Sequence, residues 1–109
     1  MTYTVKLTDN ALEQLKEAIR YISRVLLEPG IAKMWSGRIK QGISSLCQLP
    51  FRYPLVEEEP WHTEGIRKIN IENFIVYYWV NSESSTVWVT AVIYAKRDQL
   101  YALRNMPKE

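Results

Sequence analysis

The stretch GIRKINIENFIVYYWVNSESSTVWVTAVIYAKRD, residues 65–98, decides the fold of this chain. Its residues are mostly β-branched or aromatic, which is typical of strands. Two polar turns interrupt the stretch, so we expect strands over residues 66–71, 74–80 and 87–94. Connections this short join antiparallel neighbours, because parallel strands need long crossovers. The stretch therefore predicts a three-stranded antiparallel meander within residues 65–95.

The residues before the meander predict one strand and a pair of helices. Residues 1–7 alternate between apolar and polar side chains, and residues 8–10 (Thr-Asp-Asn) then provide N-cap oxygens. The first helical stripe consists of Leu12, Leu15, Ile19, Ile22 and Leu26, and the second of Ala32, Trp35, Ile39, Gly42 or Ile43, Leu46 and Leu49. Only Pro29-Gly30 separates the two stripes, so residues 9–49 are predicted to form an antiparallel helical hairpin. At Gly42 we expect close approach of a partner backbone.

The segment between the helices and the meander, residues 50–64, reads as an extended linker because it contains three prolines. We expect four apolar side chains to hold it against the core: Phe51, Tyr53, Leu55 and Trp61. Its acidic triplet, residues 57–59, is interpreted as a solvated loop, since no helical spacing presents these carboxylates together as metal ligands. After the meander, residues 98–104 are predicted to form a short helix with Leu100 and Leu103 facing inward.

Together these elements predict an α+β fold with the order β-α-α-β-β-β, in one domain over residues 1–109. The helical hairpin is expected to pack on one face of an antiparallel sheet. One hairpin covers only one face, so apolar surface is expected to remain on the other face. The residues predicted to form that open surface are Tyr77, Tyr78, Trp79 and Trp88.

Composition limits the classes of function. The chain has 109 residues, a net charge of +2, an isoelectric point near 8.7 and one cysteine. It contains no apolar run long enough to cross a membrane and no secretory signal pattern, so we expect a cytoplasmic protein without membrane attachment. A single cysteine allows no internal disulfide. The weak positive charge permits nucleic acid as a partner and does not require it.

No motif for a phosphate loop, zinc peptidase or hydrolase nucleophile is present, and His62 is the only histidine. We therefore expect neither a cofactor nor a metal. The remaining candidates for chemistry are basic and phenolic residues at the ends of the meander: Arg67, Lys68, Tyr94, Lys96, Arg97, Tyr101 and Arg104. Such residues can stabilise phosphodiester cleavage, or they can anchor a protein interface. A third interpretation is structural, with Arg67 and Arg97 paired to carboxylates such as that of Asp98.

The chain resembles the RelE/ParE superfamily of type II toxin–antitoxin toxins over nearly its whole length. Residues 65–68 (GIRK), followed by Ile71 and by residues 74–78 (FIVYY), resemble the core strands of that superfamily. Residues 89–98 (VTAVIYAKRD) resemble the closing strand of ParE-like members, and residues 3–22 resemble the opening strand and first helix. The resemblance implies a growth-arresting toxin that a cognate ParD- or RelB-like antitoxin neutralises, with operator DNA bound only through the antitoxin.

The superfamily has two kinds of target. ParE-like members inhibit DNA gyrase, and RelE-like members cleave messenger RNA on the ribosome without a metal. For a gyrase inhibitor, the resemblance implies target contacts at Arg67, Tyr94, Lys96, Arg97, Tyr101 and Arg104. For an endoribonuclease, it implies catalysis by Arg67, Lys68, Tyr94 and Arg97.

Two departures from the patterns of the superfamily weaken the nuclease interpretation. The linker reads Val-Glu-Glu-Glu at residues 56–59, where RelE-like nucleases tend to be rich in lysine. Tyr94 stands where many ParE-like members have histidine, which removes a conventional proton-transfer group. We therefore predict a ParE-like gyrase inhibitor, with the ribosome-dependent nuclease as the alternative. A third possibility is a member that serves mainly as an antitoxin-binding partner in operon regulation.

Overall fold

The computed structural model describes residues 2–25, 28–95 and 99–109, with the backbone alone at residue 25. In chain order the elements are β1 Thr4–Leu7, α1 Asp9–Val25, α2 Pro29–Ser44, β2 Arg67–Ile71, β3 Phe74–Asn81, β4 Thr86–Tyr94 and α3 Gln99–Arg104. Two single 3-10 turns, Ser45–Cys47 and Pro50–Arg52, follow α2. None of the helices in the described ranges is long and apolar enough to cross a membrane.

The four strands form one mixed sheet in the order β1-β4-β3-β2. The meander is antiparallel, as predicted, with Ile71 opposite Phe74 and Phe74 opposite Tyr94. The α+β class and the element order are confirmed. The expectation of a wholly antiparallel sheet was wrong in one pairing, because β1 runs parallel to β4. After β1 the chain leaves the sheet to form the helical hairpin. The last strand, β4, then pairs with β1 on one side and with β3 on the other.

Helix α1 begins as the sequence predicts, because the Thr8 Oγ1 accepts a 3.1 Å hydrogen bond from the backbone N–H of Ala11. Its buried stripe differs from the predicted one. Ala11, Ala18 and Ile22 face the core, whereas Leu12 is exposed and Ile19 is half-buried. Ile22 is buried as predicted and Leu15 packs partly buried against the core, while the small side chains of Ala11 and Ala18 let α1 lie close against the sheet. Leu26 lies outside the described residues.

Helix α2 packs through Ala32, Ile39 and Ile43, as predicted, and Leu46 is buried in the 3-10 turn that follows. Gly42 permits a close approach to β2. A Cβ atom at this position would lie only 2.5 Å from Cδ1 of Ile71. The neighbour is therefore a side chain of the sheet and not the partner helix backbone that we expected.

Leu49 does not continue the α2 stripe, contrary to the prediction. Its backbone is left-handed, with φ 46° and ψ 53°, and 75% of its surface is exposed. The following Pro50 begins a 3-10 turn and is itself buried. The chain therefore reverses at residue 49, which turns the leucine side chain into solvent.

The second face of the sheet is covered, which corrects the expectation of an open apolar surface. Its core contains Val56 and Ile66 from the linker side, Ile75, Tyr77, Ala91 and Ile93 from the sheet, and Leu103 from α3. Tyr77 is buried here and Tyr78 is buried on the helical face, while Trp79 and Trp88 are half-buried. Helix α3 packs through Leu103 as predicted, but Leu100 is exposed.

Candidate functional site

Arg67 begins β2 on the face that carries the helices, together with Ile69 and Ile71. Its Nη1 donates hydrogen bonds to the backbone oxygens of Tyr53, at 2.6 Å, and Phe51, at 3.3 Å. The guanidinium also lies 5.1 Å from the centre of the Phe51 ring, a cation–π distance. Arg67 therefore holds the start of the linker against the sheet. It pairs with backbone carbonyls, and no carboxylate within the described ranges forms an ion pair with it.

Tyr78 lies directly opposite Arg67 in the sheet and also bonds the start of the linker. Its buried hydroxyl donates a 2.6 Å hydrogen bond to the backbone oxygen of Pro50. Burial raises the pKa of Tyr78 to about 12, although the positive charges of Arg67 and Arg52 oppose that shift. Tyr78 therefore stays a neutral donor near neutral pH.

Arg52 is a second arginine at this end of the sheet, and the sequence reasoning did not single it out. Its guanidinium lies 4.7 Å from the centre of the Tyr53 ring. It donates to the backbone oxygens of Gln48 and Leu49 and, at 3.2 Å, to Ser45 Oγ. The available signal was its place a few residues after a helix, where arginine can bond the last carbonyls.

Tyr94 ends β4 at the opposite end of the sheet from Arg67. Its ring packs on Tyr21 of α1, with centroids 5.5 Å apart, and on Phe74 of β3, at 5.7 Å. These rings line a groove of about 650 Å³ between α1 and the end of the sheet, with Arg20 and Arg24 also lining it. Tyr94 is thus an aromatic packing residue that lines this groove.

The pairing register separates Arg67 from Tyr94. Arg67 is opposite Tyr78, whereas Tyr94 is opposite Phe74, which in turn is opposite Ile71. The level of Tyr94 is therefore four residue steps from that of Arg67, roughly 14 Å along the strand direction at about 3.4 Å per residue. The two residues share a face and do not form one site.

The other predicted site residues lie elsewhere. Lys68 follows Arg67 and therefore points to the opposite face, beside its partner Tyr77. That face carries α3, on which Tyr101 and Arg104 are exposed. Lys96 and Arg97 lie outside the described residues.

The acidic loop before β2 is solvated, as predicted. Glu57, Glu58 and Glu59 are all exposed. Hydrogen bonds from the backbone N–H and hydroxyl of Thr63 lower the pKa of Glu59. Within the described part of the chain, no group of three or more His, Cys, Asp or Glu side chains is placed to hold a metal ion.

The strand, helical hairpin and meander match a known family. The sequence model for the ParE toxin of the type II toxin–antitoxin system parDE matches residues 5–99. The chain belongs to the ParE toxin family. That assignment confirms the superfamily to which the strand motifs pointed. No curated protein sequence matches the chain significantly.

Solved structures show the same fold at low sequence identity. The chromosomal ParDE toxin–antitoxin system of P. aeruginosa superposes with a TM-score of 0.68 at 18% identity, covering 87% of this chain and 98% of that one. The RelBE2 toxin–antitoxin complex of Mycobacterium tuberculosis gives 0.61 at 20% identity, with 88% and 95% covered. A free mutant of the E. coli toxin RelE gives 0.61 at 17% identity, with 95% and 97% covered. Both branches of the superfamily therefore share the architecture of this chain.

Proposed function

We propose that this ParE-family toxin arrests bacterial growth by a protein–protein contact with DNA gyrase. The observation that carries the proposal is the separation of Arg67 and Tyr94, which lie at opposite ends of the sheet. Cleavage of RNA by these residues would require them to converge on one phosphodiester, with a proton-transfer group within hydrogen-bond reach. A protein interface has no such requirement, because its anchors can be spread over a broad surface.

The state of Arg67 supports the same proposal. Its Nη1 donates to two backbone carbonyls, and its guanidinium stacks on an aromatic ring, so it already has a structural role. The exposed residues 57–59 place negative charge in the loop before β2, which opposes the approach of a phosphate backbone. Both features disfavour the alternative, a ribosome-dependent endoribonuclease using Arg67, Lys68, Tyr94 and Arg97.

The candidate gyrase contacts are the basic and phenolic residues predicted from sequence: Arg67, Tyr94, Lys96, Arg97, Tyr101 and Arg104. Tyr101 and Arg104 are exposed, and Arg67 and Tyr94 are partly exposed. Tyrosine and arginine are the side chains that most often dominate binding energy in protein interfaces. We further propose a cognate antitoxin as the neutralising partner, since two of the similar solved structures are toxin–antitoxin assemblies. Both partners would be met in the cytoplasm.

Purified toxin tests the proposal directly. The toxin is added to gyrase with relaxed plasmid, and in a separate reaction to translating ribosomes with a defined message. We expect loss of supercoiling or accumulation of cleaved plasmid, with the message intact. Cleavage of the message together with undisturbed supercoiling would overturn the proposal.

A further inference from the structure

The turn after α2 forms an exposed apolar surface with two arginines, which we call the residue-49 platform. It consists of Leu49, Phe51, Arg52 and Arg67. Leu49 is 75% exposed and Phe51 is 49% exposed. Two large apolar side chains, two positions apart in the chain, are therefore exposed on one short turn.

The backbone at Leu49 is unusual for the residue that occupies it. A left-handed conformation is unfavourable for a residue with a Cβ atom, and glycine or asparagine usually occupies it. Exposing a leucine side chain to water at this position adds no stability to the isolated chain. An exposed apolar residue held in a strained conformation is the kind of feature that accompanies binding surfaces.

Hydrogen bonds make the platform rigid. Tyr78 fixes the backbone oxygen of Pro50 at 2.6 Å, and Arg67 fixes that of Tyr53 at the same distance. The Phe51 ring stands edge-on to Tyr3, with centroids 6.4 Å apart and planes at 82°. A partner therefore meets a surface that is already ordered, which lowers the entropic cost of binding.

The charge of the platform indicates the chemistry of its partner. Arg52 and Arg67 stack on Tyr53 and Phe51, respectively, and both donate hydrogen bonds to neutral oxygens. In the described ranges, neither arginine forms an ion pair with a carboxylate. Two positive charges beside two apolar side chains match a segment that carries a bulky apolar residue next to Asp or Glu.

We propose that the residue-49 platform is a docking surface for such an apolar and acidic segment of a protein partner. The inference rests on the proposed function, since it assigns the arrested target to this surface. A protein segment fits better than RNA, because Leu49 offers a nucleic acid neither charge nor a stacking face.

A titration followed by NMR tests the docking surface without any assumption about the target. The probes are a short peptide in which Leu and Phe are flanked by Glu, the same peptide with Gln in place of Glu, and a short single-stranded RNA. We expect the acidic peptide to shift the backbone amides of residues 49–53, with about 5- to 10-fold tighter binding than the neutral peptide. Absence of shifts at these amides, or stronger shifts there with RNA, would overturn the proposal.

Growth arrest provides the second readout. The double variant Leu49→Ser, Phe51→Ser is compared with Ile31→Ser, Met34→Ser on α2, where the two side chains are 42% and 47% exposed. After induction, we expect cells with the platform variant to plate on the order of 100-fold more efficiently than cells with the wild-type toxin. The control variant is expected to arrest growth as the wild type does. Wild-type arrest by the platform variant would contradict the proposal.

Leu49→Gly separates docking from folding. Glycine adopts the left-handed backbone without strain, so this variant is expected to unfold at no lower temperature than the wild type. Because it lacks the leucine side chain, it is expected to bind the acidic peptide more weakly than the wild type does. The outcomes also separate the two proposals. If gyrase is unaffected but the platform variant loses growth arrest, the platform stands and the gyrase proposal fails. If wild type and platform variant inhibit gyrase equally, the gyrase proposal stands and the proposed docking surface fails.

Discussion

The hydroxyl of Tyr78 donates a 2.6 Å hydrogen bond to the backbone oxygen of Pro50, 28 residues earlier in the chain. This bond joins the middle of the sheet to the turn that follows the helical hairpin. Because Arg67 lies opposite Tyr78 and donates to the backbone oxygens of Phe51 and Tyr53, one pair of neighbouring strand residues holds the backbone of the residue-49 platform at three positions.

Replacing Tyr78 by phenylalanine is expected to lower the free energy of unfolding by about 1–3 kcal/mol, because the buried oxygen of Pro50 then lacks its donor. Chemical denaturation at neutral pH measures the effect. Tyr21→Phe is the matched control, since Tyr21 is exposed and its ring contact with Tyr94 is kept. An equal effect of both substitutions would show that the hydrogen bond contributes nothing specific.

The stability of the protein is expected to fall in alkali. Burial raises the pKa of both Tyr77 and Tyr78 to about 12, with a smaller contribution from Glu58 at Tyr77. The unfolded chain releases these protons near pH 10, so the stabilisation is complete below about pH 10 and is lost as the pH rises towards 12.

Denaturation at a series of pH values tests this dependence. Tyr77→Phe and Tyr78→Phe should each flatten the alkaline decline, so that the stability gap between wild type and Tyr78→Phe narrows as the pH rises. A gap that stays constant from about pH 9 to about pH 11.5 would contradict the assigned shift of Tyr78.

Two glycines of α2 give a matched pair of substitutions. Alanine at Gly37 meets no atom within 4 Å, so we expect a gain of about 0.5–1 kcal/mol from helix propensity. At Gly42 the new methyl group would lie 2.5 Å from Cδ1 of Ile71. Overpacking of this kind costs about 1–3 kcal/mol. Gly42→Ala should therefore be less stable than Gly37→Ala by about that amount, and equal stabilities would contradict the close approach.

Tyr94→Phe distinguishes an interface residue from a proton-transfer residue. Its ring contacts with Tyr21 and Phe74 remain, so the variant should fold normally. Under the gyrase proposal we expect growth arrest within a few-fold of wild type. Loss of an acid or base from a nuclease would instead reduce cleavage by about 100- to 10,000-fold. Plating efficiency after induction measures the difference.

Local sequence patterns were sufficient to predict most of the fold. The β-branched and aromatic run gives the antiparallel meander, and Thr8 begins α1 where a capping hydroxyl was expected. These features depend on residues close in sequence. The parallel pairing of β1 with β4 joins residues about 80 positions apart, such as Thr4 and Thr86, and no local pattern encodes it.

The packing stripes were harder to predict because they depend on how closely two elements approach. Periodicity selected Leu12, yet Ala11 and Ala18 face the sheet. The burial of Tyr77 was also missed, since it requires Val56 and α3 to cover the second face. Amphipathic periodicity shows that a helix has an apolar side, and the fit of small and large side chains decides which residues touch.

The candidate site was predicted only in part. Sequence reasoning identified Arg67 and Tyr94 as residues at the sheet ends, and their identities as basic and phenolic groups follow directly from the chain. That they lie at different ends depends on strand register, which the turn at residues 72–73 sets. The exposure of Leu49 depends on a reversal before Pro50 that helical periodicity did not anticipate.

The most direct test of the account follows DNA and protein synthesis after the toxin is induced without antitoxin. Cells are pulse-labelled for both during the first minutes. A gyrase inhibitor predicts that DNA synthesis falls first and the DNA-damage response rises while translation continues. Early collapse of translation, with new 5′ ends inside reading frames, would contradict the account and identify the toxin as a ribosome-dependent nuclease.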